Sequence, residues 1–180
     1  LEQFISKIGE WESEGFILTG LNESLVEFYR LLSEYELMGR DRDRITFRKN
    51  MDGLRILVEN YSAETDLENI KKMRLLSFII QSIAIDYSFD HETALENESL
   101  IEDLFSKSEE LKKKVNDRQG LAINLGSRGS YHLYTTGKIS LARVITPVPV
   151  IWDTGIKTRI TIQTTGLTGL IAKAWRQSNR

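Results

Sequence analysis

The chain has 180 residues, 41% of them apolar and 28% charged, which provides enough apolar material for one folded domain or two small lobes. It contains no cysteine, which excludes disulfides, thiolate metal sites and cysteine nucleophiles. The net charge of −2 hides an uneven distribution, because residues 1–119 hold 25 acidic and 16 basic residues (net −9), whereas residues 120–180 hold one acidic and eight basic residues (net +7).

Helical spacing of apolar residues dominates the first part of the chain. Residues 1–11 have this spacing. Ser24 and Glu27 have the spacing of a capping box and predict a helix with an apolar face over residues 25–35. Residues 51–61 predict a third, shorter helix.

A longer helix is predicted from Thr65, which forms a second capping box with Glu68, to about Tyr87. Residues 75–85 of this helix are almost wholly apolar. Because a helix that is apolar on all faces must be covered on all faces, we expect it to lie at the centre of a bundle.

A third capping box, Ser99 with Glu102, predicts one more helix. Its predicted inner face consists of Ile101, Leu104, Ser108, Leu111 and Val115. Three lysines, Lys112, Lys113 and Lys114, fall in its last turn, where cations complement the helix dipole.

The sequence pattern changes after Asp117, from helical spacing to short β-favouring runs with glycine-containing turns between them. Residues 121–125 and 131–135 predict two strands separated by a turn at residues 126–130, and a second turn is predicted at residues 136–138. Further strands are predicted over the β-branched and alternating runs 139–146, 148–152 and 158–164, followed by a short terminal helix over residues 170–177.

These elements predict an α+β protein. An acidic bundle of about five helices occupies residues 1–118, and a basic, antiparallel β-rich lobe with a short terminal helix occupies residues 119–180. No linker rich in proline or serine separates the two parts, so we expect them to share an interface.

The basic part is the main functional candidate. Seven cations are predicted to contact nucleic acid or another polyanion: Arg128, Lys138, Arg143, Lys157, Arg159, Lys173 and Arg176. Aromatic residues lie among them, and nucleic-acid binding uses cations for phosphates and aromatic rings for stacking on bases. The competing interpretation is that these cations pair with the acidic helices of the same chain or of a neighbouring copy. Contact with lipid head groups at a membrane surface is a third alternative.

Two smaller constellations have both a chemical and a structural interpretation. The turn predicted at residues 126–130 has the composition of a phosphate-binding loop, but it lacks the Gly-Lys-Ser/Thr ending, which favours a plain hairpin turn. Asp86 and Asp90 are one helical turn apart and, with His91, could bind a divalent cation. A polar helix end is the simpler interpretation, so the sequence assigns no metal ligand, and no cofactor.

The sequence therefore favours a non-catalytic binding and assembly protein over an enzyme, since no Gly-x-Ser-x-Gly elbow or other catalytic signature is present. A subunit of a nucleoprotein complex, or of a viral capsid or matrix layer, fits the charge pattern, with a homo-oligomer or larger assembly as its state. The alternatives are a structural subunit that assembles through acidic-to-basic contacts without nucleic acid, and a metal-dependent hydrolase at Asp86 and Asp90. No apolar run is long enough to span a membrane, and the expected location is the cytoplasm or a virion.

Overall fold

The computed structural model describes residues 19–37, 43–90 and 93–138, and these residues form a helical bundle. Its five helices are α1 (Leu21–Leu37), α2 (Arg44–Asn60), α3 (Asp66–Ser88), α4 (Glu98–Lys114) and α5 (Arg118–Tyr134). The helix predicted over residues 1–11, the strands predicted after residue 138 and the terminal helix predicted over residues 170–177 lie outside the described residues.

Helix α3 is the centre of the bundle and packs against each of the other four helices. Every residue from Ser77 to Ala84 is buried, which confirms the central position predicted from the apolar run. The capping box is also confirmed, since the Thr65 side chain accepts a hydrogen bond from the Glu68 N–H and the Glu68 carboxylate accepts one from the Thr65 N–H.

The apolar core is divided between the two sides of α3. On one side, Phe28 of α1 and Met51 of α2 are fully buried against α3. On the other side, Phe105 of α4 and Tyr131 of α5 form a smaller cluster with Ala84 of α3. The smaller cluster contains fewer large apolar side chains, so polar contacts have a larger share in holding α4 and α5 in place.

The other two predicted capping boxes are wrong. Helix α1 begins at Leu21, and the Ser24 N–H already donates to the carbonyl of Gly20 inside its first turn. Helix α4 begins at Glu98, with Asn97 at its N-cap; the Asn97 side chain donates to the Thr93 carbonyl and does not cap the helix. A serine followed three residues later by a glutamate also occurs by chance inside helices, where the glutamate pairs with other side chains, as Glu27 does with Arg30 and Glu102 with Arg128.

The α+β prediction is also wrong for the described part of the chain, which has five helices and no strand. Residues 118–134 form the continuous helix α5, where two strands and a turn at residues 126–130 were expected. The phosphate-loop and hairpin interpretations of residues 126–130 are therefore both wrong, because these residues are helical. The division of the chain at 118/119 into two domains stays a prediction, although α5 itself packs on α3 and α4.

Helix α5 forms in spite of its composition because its tertiary contacts favour the helix. Asp117 caps it by accepting a hydrogen bond from the Gly120 N–H at 2.8 Å. The amide of Asn124 is buried and donates to the Phe105 carbonyl of α4 at 3.0 Å. Tyr131, which is 1% exposed, fills the smaller apolar cluster. Local propensity is a weak prior that such contacts routinely override.

Two glycines of α5 provide a matched test of this helix. A Cβ added at Gly120 would lie 2.2 Å from Oδ2 of Asp117, whereas a Cβ at Gly126 would meet nothing within 4 Å. We expect Gly120→Ala to destabilise the protein by about 1 to 2 kcal/mol, since Asp117 must move and the cap is lost. Gly126→Ala should stabilise it by about 0.5 to 1 kcal/mol, because alanine favours a helix over the unfolded chain. Urea unfolding followed by circular dichroism measures both, and a destabilising Gly126→Ala would contradict the helix at this position.

Candidate charge-pairing site of the bundle

Arg128 and Lys138 are the two predicted nucleic-acid contacts that lie in the described residues, and both pair with glutamates of α4. Nε of Arg128 donates to Glu102 at 2.9 Å, and its Nη1 lies 3.5 Å from a carboxylate oxygen of Glu109. The side chain of Arg128 is 20% exposed. Nζ of Lys138 pairs with the carboxylate of Glu98.

The remaining predicted contacts are outside the described residues. They are Arg143, Lys157, Arg159, Lys173 and Arg176. The structure therefore brings together two of the seven cations, one in α5 and one just after it. Their assignment to nucleic acid stays a prediction, and the contacts that the structure gives them are with carboxylates of the same chain.

The glutamates that form ion pairs with these cations lie along one side of α4. Glu98 and Glu102 are one turn apart, and Glu109 is two turns further on, so their carboxylates form a row that faces α5. Exposed ion pairs stabilise a protein by about 0 to 1 kcal/mol each. The pairs of this row are only partly buried, so the row directs α5 onto α4 more than it stabilises the fold. The row is an anionic surface that binds cationic side chains.

His132 is buried beside this row, with its Nε2 atom 2.9 Å from Oε1 of Glu102 but without a well-aligned hydrogen bond. Burial lowers the pKa of His132, and the negative charge of Glu102 opposes that effect only partly. The imidazole is therefore neutral at neutral pH, and Arg128 is the charged partner of Glu102.

A second cluster of charges lies where α1, α2 and α3 meet, around the buried carboxylate of Asp86. Nε of Arg48 donates to Oδ2 of Asp86 at 2.5 Å, and Nη1 of Arg44 lies 3.2 Å from Oδ1. The hydroxyl of Tyr35 also donates to this carboxylate. Arg48 reaches Asp90 as well, at 2.8 Å, and this hydrogen bond holds the pKa of the Asp90 carboxyl below its usual value.

The proposed metal ligands Asp86 and Asp90 are thus held by two arginines. Guanidinium groups occupy the positions next to the carboxylates and repel a divalent cation placed there. No group of three or more metal-ligating side chains occurs among the described residues, and His91 lies outside them. The geometry supports a structural ion cluster at this position.

A third polar site, which the sequence did not predict, surrounds Lys112. This lysine is fully buried between α3 and α4, and its Nζ lies 2.7 Å from Oγ of Ser108, 3.2 Å from the Ser77 carbonyl and 4.7 Å from the centre of the Phe78 ring. Burial lowers the pKa of Lys112 to about 7, and the charge of Asp117 opposes the shift. The sequence contains an indication of this site, because Lys112 follows Ser108 by four residues and both therefore lie on the inner face of α4.

A serine beside a lysine with a lowered pKa resembles the nucleophile and base of some hydrolases. Here, however, Ser77, Ser108 and Lys112 are each 0% exposed. A substrate has no route to them, so this arrangement satisfies buried polar groups instead of performing a reaction.

The comparisons with known proteins give no further guidance, because no protein-family model, no curated protein and no solved structure matches this chain. Among the described residues, none of the helices is both long enough and apolar enough to cross a membrane.

Lys112 should make the stability of the protein depend on pH. Its pKa is about 7 in the folded state and about 10.4 in the unfolded chain. Between these values the unfolded state binds more protons, so the free energy of unfolding should rise with pH by up to about 1.4 kcal/mol per unit. Lys112→Met should remove this rise, whereas Lys113→Met, at an exposed position, should leave it intact. Urea unfolding at pH 6.5, 8 and 9.5 measures the difference, and equal slopes in all three proteins would contradict the assignment.

Asp86→Ala should strongly destabilise the bundle, because it removes the carboxylate that pairs with Arg44 and leaves Arg48 with Asp90 alone. Removing one partner of a buried ion pair typically costs about 3 to 5 kcal/mol. Asp103→Ala is the control, since its side chain is 54% exposed and pairs only with Lys107 among the ion pairs described. Thermal unfolding compares the two, and a similar small loss in both variants would show that the cluster contributes little.

Proposed function

We propose that this protein is a non-catalytic assembly subunit whose acidic helical bundle binds basic segments of the same chain or of neighbouring copies. The observation that carries the proposal is the pairing of Arg128 and Lys138 with the glutamate row of α4. Both cations come from the basic part of the sequence and both find their anionic partners in the acidic part. This is the behaviour expected of a chain that carries its own complementary charges.

The basic residues after position 138 also support assembly through complementary charge. Residues 139–180 hold six cations and one acid, a net charge of +5, whereas residues 1–119 carry −9. Contacts between these regions in different copies are heterologous, and such contacts generate rings or filaments. A layer or shell built from many copies, such as a viral capsid or matrix, is one setting for a subunit of this kind.

Polyanion binding is the second candidate, and it is carried by the sequence of residues 139–180. Its five candidate cations, Arg143, Lys157, Arg159, Lys173 and Arg176, all lie after the described residues. In this alternative, Arg128 and Lys138 help to fix α5 and the chain that follows it, while the five later cations bind phosphates. The same charge pattern thus supports two partners, and an experiment separates them.

The test uses the full chain and a variant in which the five later cations are changed to glutamine. Assembly through complementary charge predicts that light scattering at 50 mM salt detects oligomers of the unaltered chain and that 500 mM salt dissociates most of them. The variant should form nothing larger than a dimer at either salt concentration. Labelled single-stranded RNA and DNA should then bind weakly or not at all. Steep, salt-dependent binding of RNA or DNA to a monomeric protein would replace the assembly proposal with the polyanion alternative.

A matched control keeps the net charge of the variant the same but moves the changes. Five cations of the described helices outside α2 are changed to glutamine instead, four of them exposed and one, Lys71, half-buried: Lys71, Lys107, Lys113, Lys114 and Arg118. If assembly depends on the basic part of the chain and not on total charge, this control should still form oligomers. Loss of oligomers in both variants would show a non-specific charge effect.

A further inference from the structure

The outward face of α2 carries two exposed isoleucines that the bundle does not cover. Ile45 is 81% exposed and Ile56 is 49% exposed. Together with Arg48, Lys49, Asp52 and Gly53 they line a shallow groove at the surface. Residues at these spacings lie on one side of a helix, so the groove follows α2 for most of its length.

The spacing of residues along this face is the same in both directions, and reversal exchanges a lysine with an aspartate. Ile45 and Ile56 stand at the two ends, Lys49 and Asp52 stand between them, and the four are separated by four, three and four residues. The midpoint of the pattern falls between Asn50 and Met51. A second α2 laid antiparallel across this midpoint therefore places each residue opposite its complement.

We propose that α2 is a dimer interface in which the same face of a second copy of this chain lies antiparallel against it. In this arrangement Ile45 meets Ile56 of the second copy, and Lys49 meets Asp52, with each contact occurring twice. Such a surface is self-complementary, as an isologous two-fold interface requires. The inference rests on the proposed assembly function and adds to it a contact between the helical bundles of two copies.

Arg48 and Gly53 complete the pairing. They are also equidistant from the midpoint, so Arg48 of one copy lies opposite Gly53 of the other. The guanidinium of Arg48 is directed inward, to Asp86 and Asp90, and lies 3.9 Å from the centre of the Tyr87 ring. A Cβ at Gly53 would meet nothing within 4 Å. The missing side chain at Gly53 leaves space for the stem of Arg48 and for the close approach of the two helices.

The charges on this face favour one register of the two helices. The charge of Arg48 is balanced by the carboxylates of Asp86 and Asp90, which leaves Lys49 and Asp52 as the charges that a partner meets. Asp52 also accepts a hydrogen bond from Arg55 of its own helix at 3.0 Å, yet its side chain is 54% exposed and remains accessible to a second cation. A shift of register by one turn would place isoleucine opposite a charge and break both Lys49–Asp52 pairs.

Charge reversal tests the contact in the variant whose five later cations are glutamine, which suppresses acidic-to-basic assembly. Lys49→Asp and Asp52→Lys each place like charges opposite one another twice per dimer, so each should weaken dimerisation at least about tenfold in sedimentation equilibrium. The double variant restores both pairs in reversed order and should dimerise within about threefold of its parent. Equal dimerisation in the parent and in both single variants would overturn the proposal.

Single cysteines test the direction of pairing, since the chain has no cysteine of its own. A mixture of Lys49→Cys and Asp52→Cys proteins should form a disulfide-linked dimer under mild oxidation. Ile45→Cys alone should not, because the two copies of residue 45 lie about 16 Å apart along the antiparallel helices, 11 residues at 1.5 Å each. Rapid linkage of Ile45→Cys with itself would indicate parallel helices and overturn the proposal.

The outcomes separate this inference from the assembly function on which it rests. Salt-sensitive oligomers of the unaltered chain without a 49-to-52 linkage would leave the assembly function standing and reject the α2 contact. A chain that is monomeric in all variants and at all salt concentrations would reject both. A 49-to-52 linkage that persists in the variant with five glutamines would establish the α2 contact as independent of the basic segment.

Discussion

The burial of α3 on two sides constrains the whole bundle, because one helix of 23 residues must provide a surface for four neighbours. Toward α1 and α2 it presents large apolar groups such as Leu75 and Ile79. Toward α4 and α5 it presents smaller and polar groups, including Ser77, Ala84 and Ser88. Close packing on the first side and hydrogen bonding on the second follow from this difference.

The polar side of α3 explains why a lysine is buried in a small domain. The Ser77 carbonyl and the two serine hydroxyls surround the Lys112 amino group, so its protons find acceptors within hydrogen-bonding distance. An unpaired buried ammonium would otherwise cost several kcal/mol, which is roughly the size of the stability of a typical domain. The lowered pKa is the second response to burial, since it allows the group to be neutral near pH 7.

Local sequence patterns predict the structure correctly where the tertiary contacts favour the same conformation. The capping box at Thr65 and the long apolar run of α3 indicate a central helix, and the structure has one. Reasoning failed at α5, because Gly126, Gly129 and the neighbouring serines favour a turn when only local preferences are considered. The contacts that decide the outcome, from Asn124 to Phe105 and from Arg128 to Glu102, join residues about 19 and 26 positions apart and are invisible to local patterns. The charge division was visible in the sequence, whereas the pairing of particular cations required the fold.

The glycines of α5 also determine how the bundle opens. A glycine in the interior of a helix costs about 0.5 to 1 kcal/mol relative to alanine, and the interior of α5 contains two, Gly126 and Gly129. It is joined to the bundle through the smaller apolar cluster and through ion pairs with α4, whereas α3 is enclosed by all four neighbours. Local openings that release α5 therefore require less free energy than openings that expose α3. We therefore expect the amide protons of α5 to exchange with solvent ahead of those of α3, and the glutamate row of α4 to become accessible in the same event.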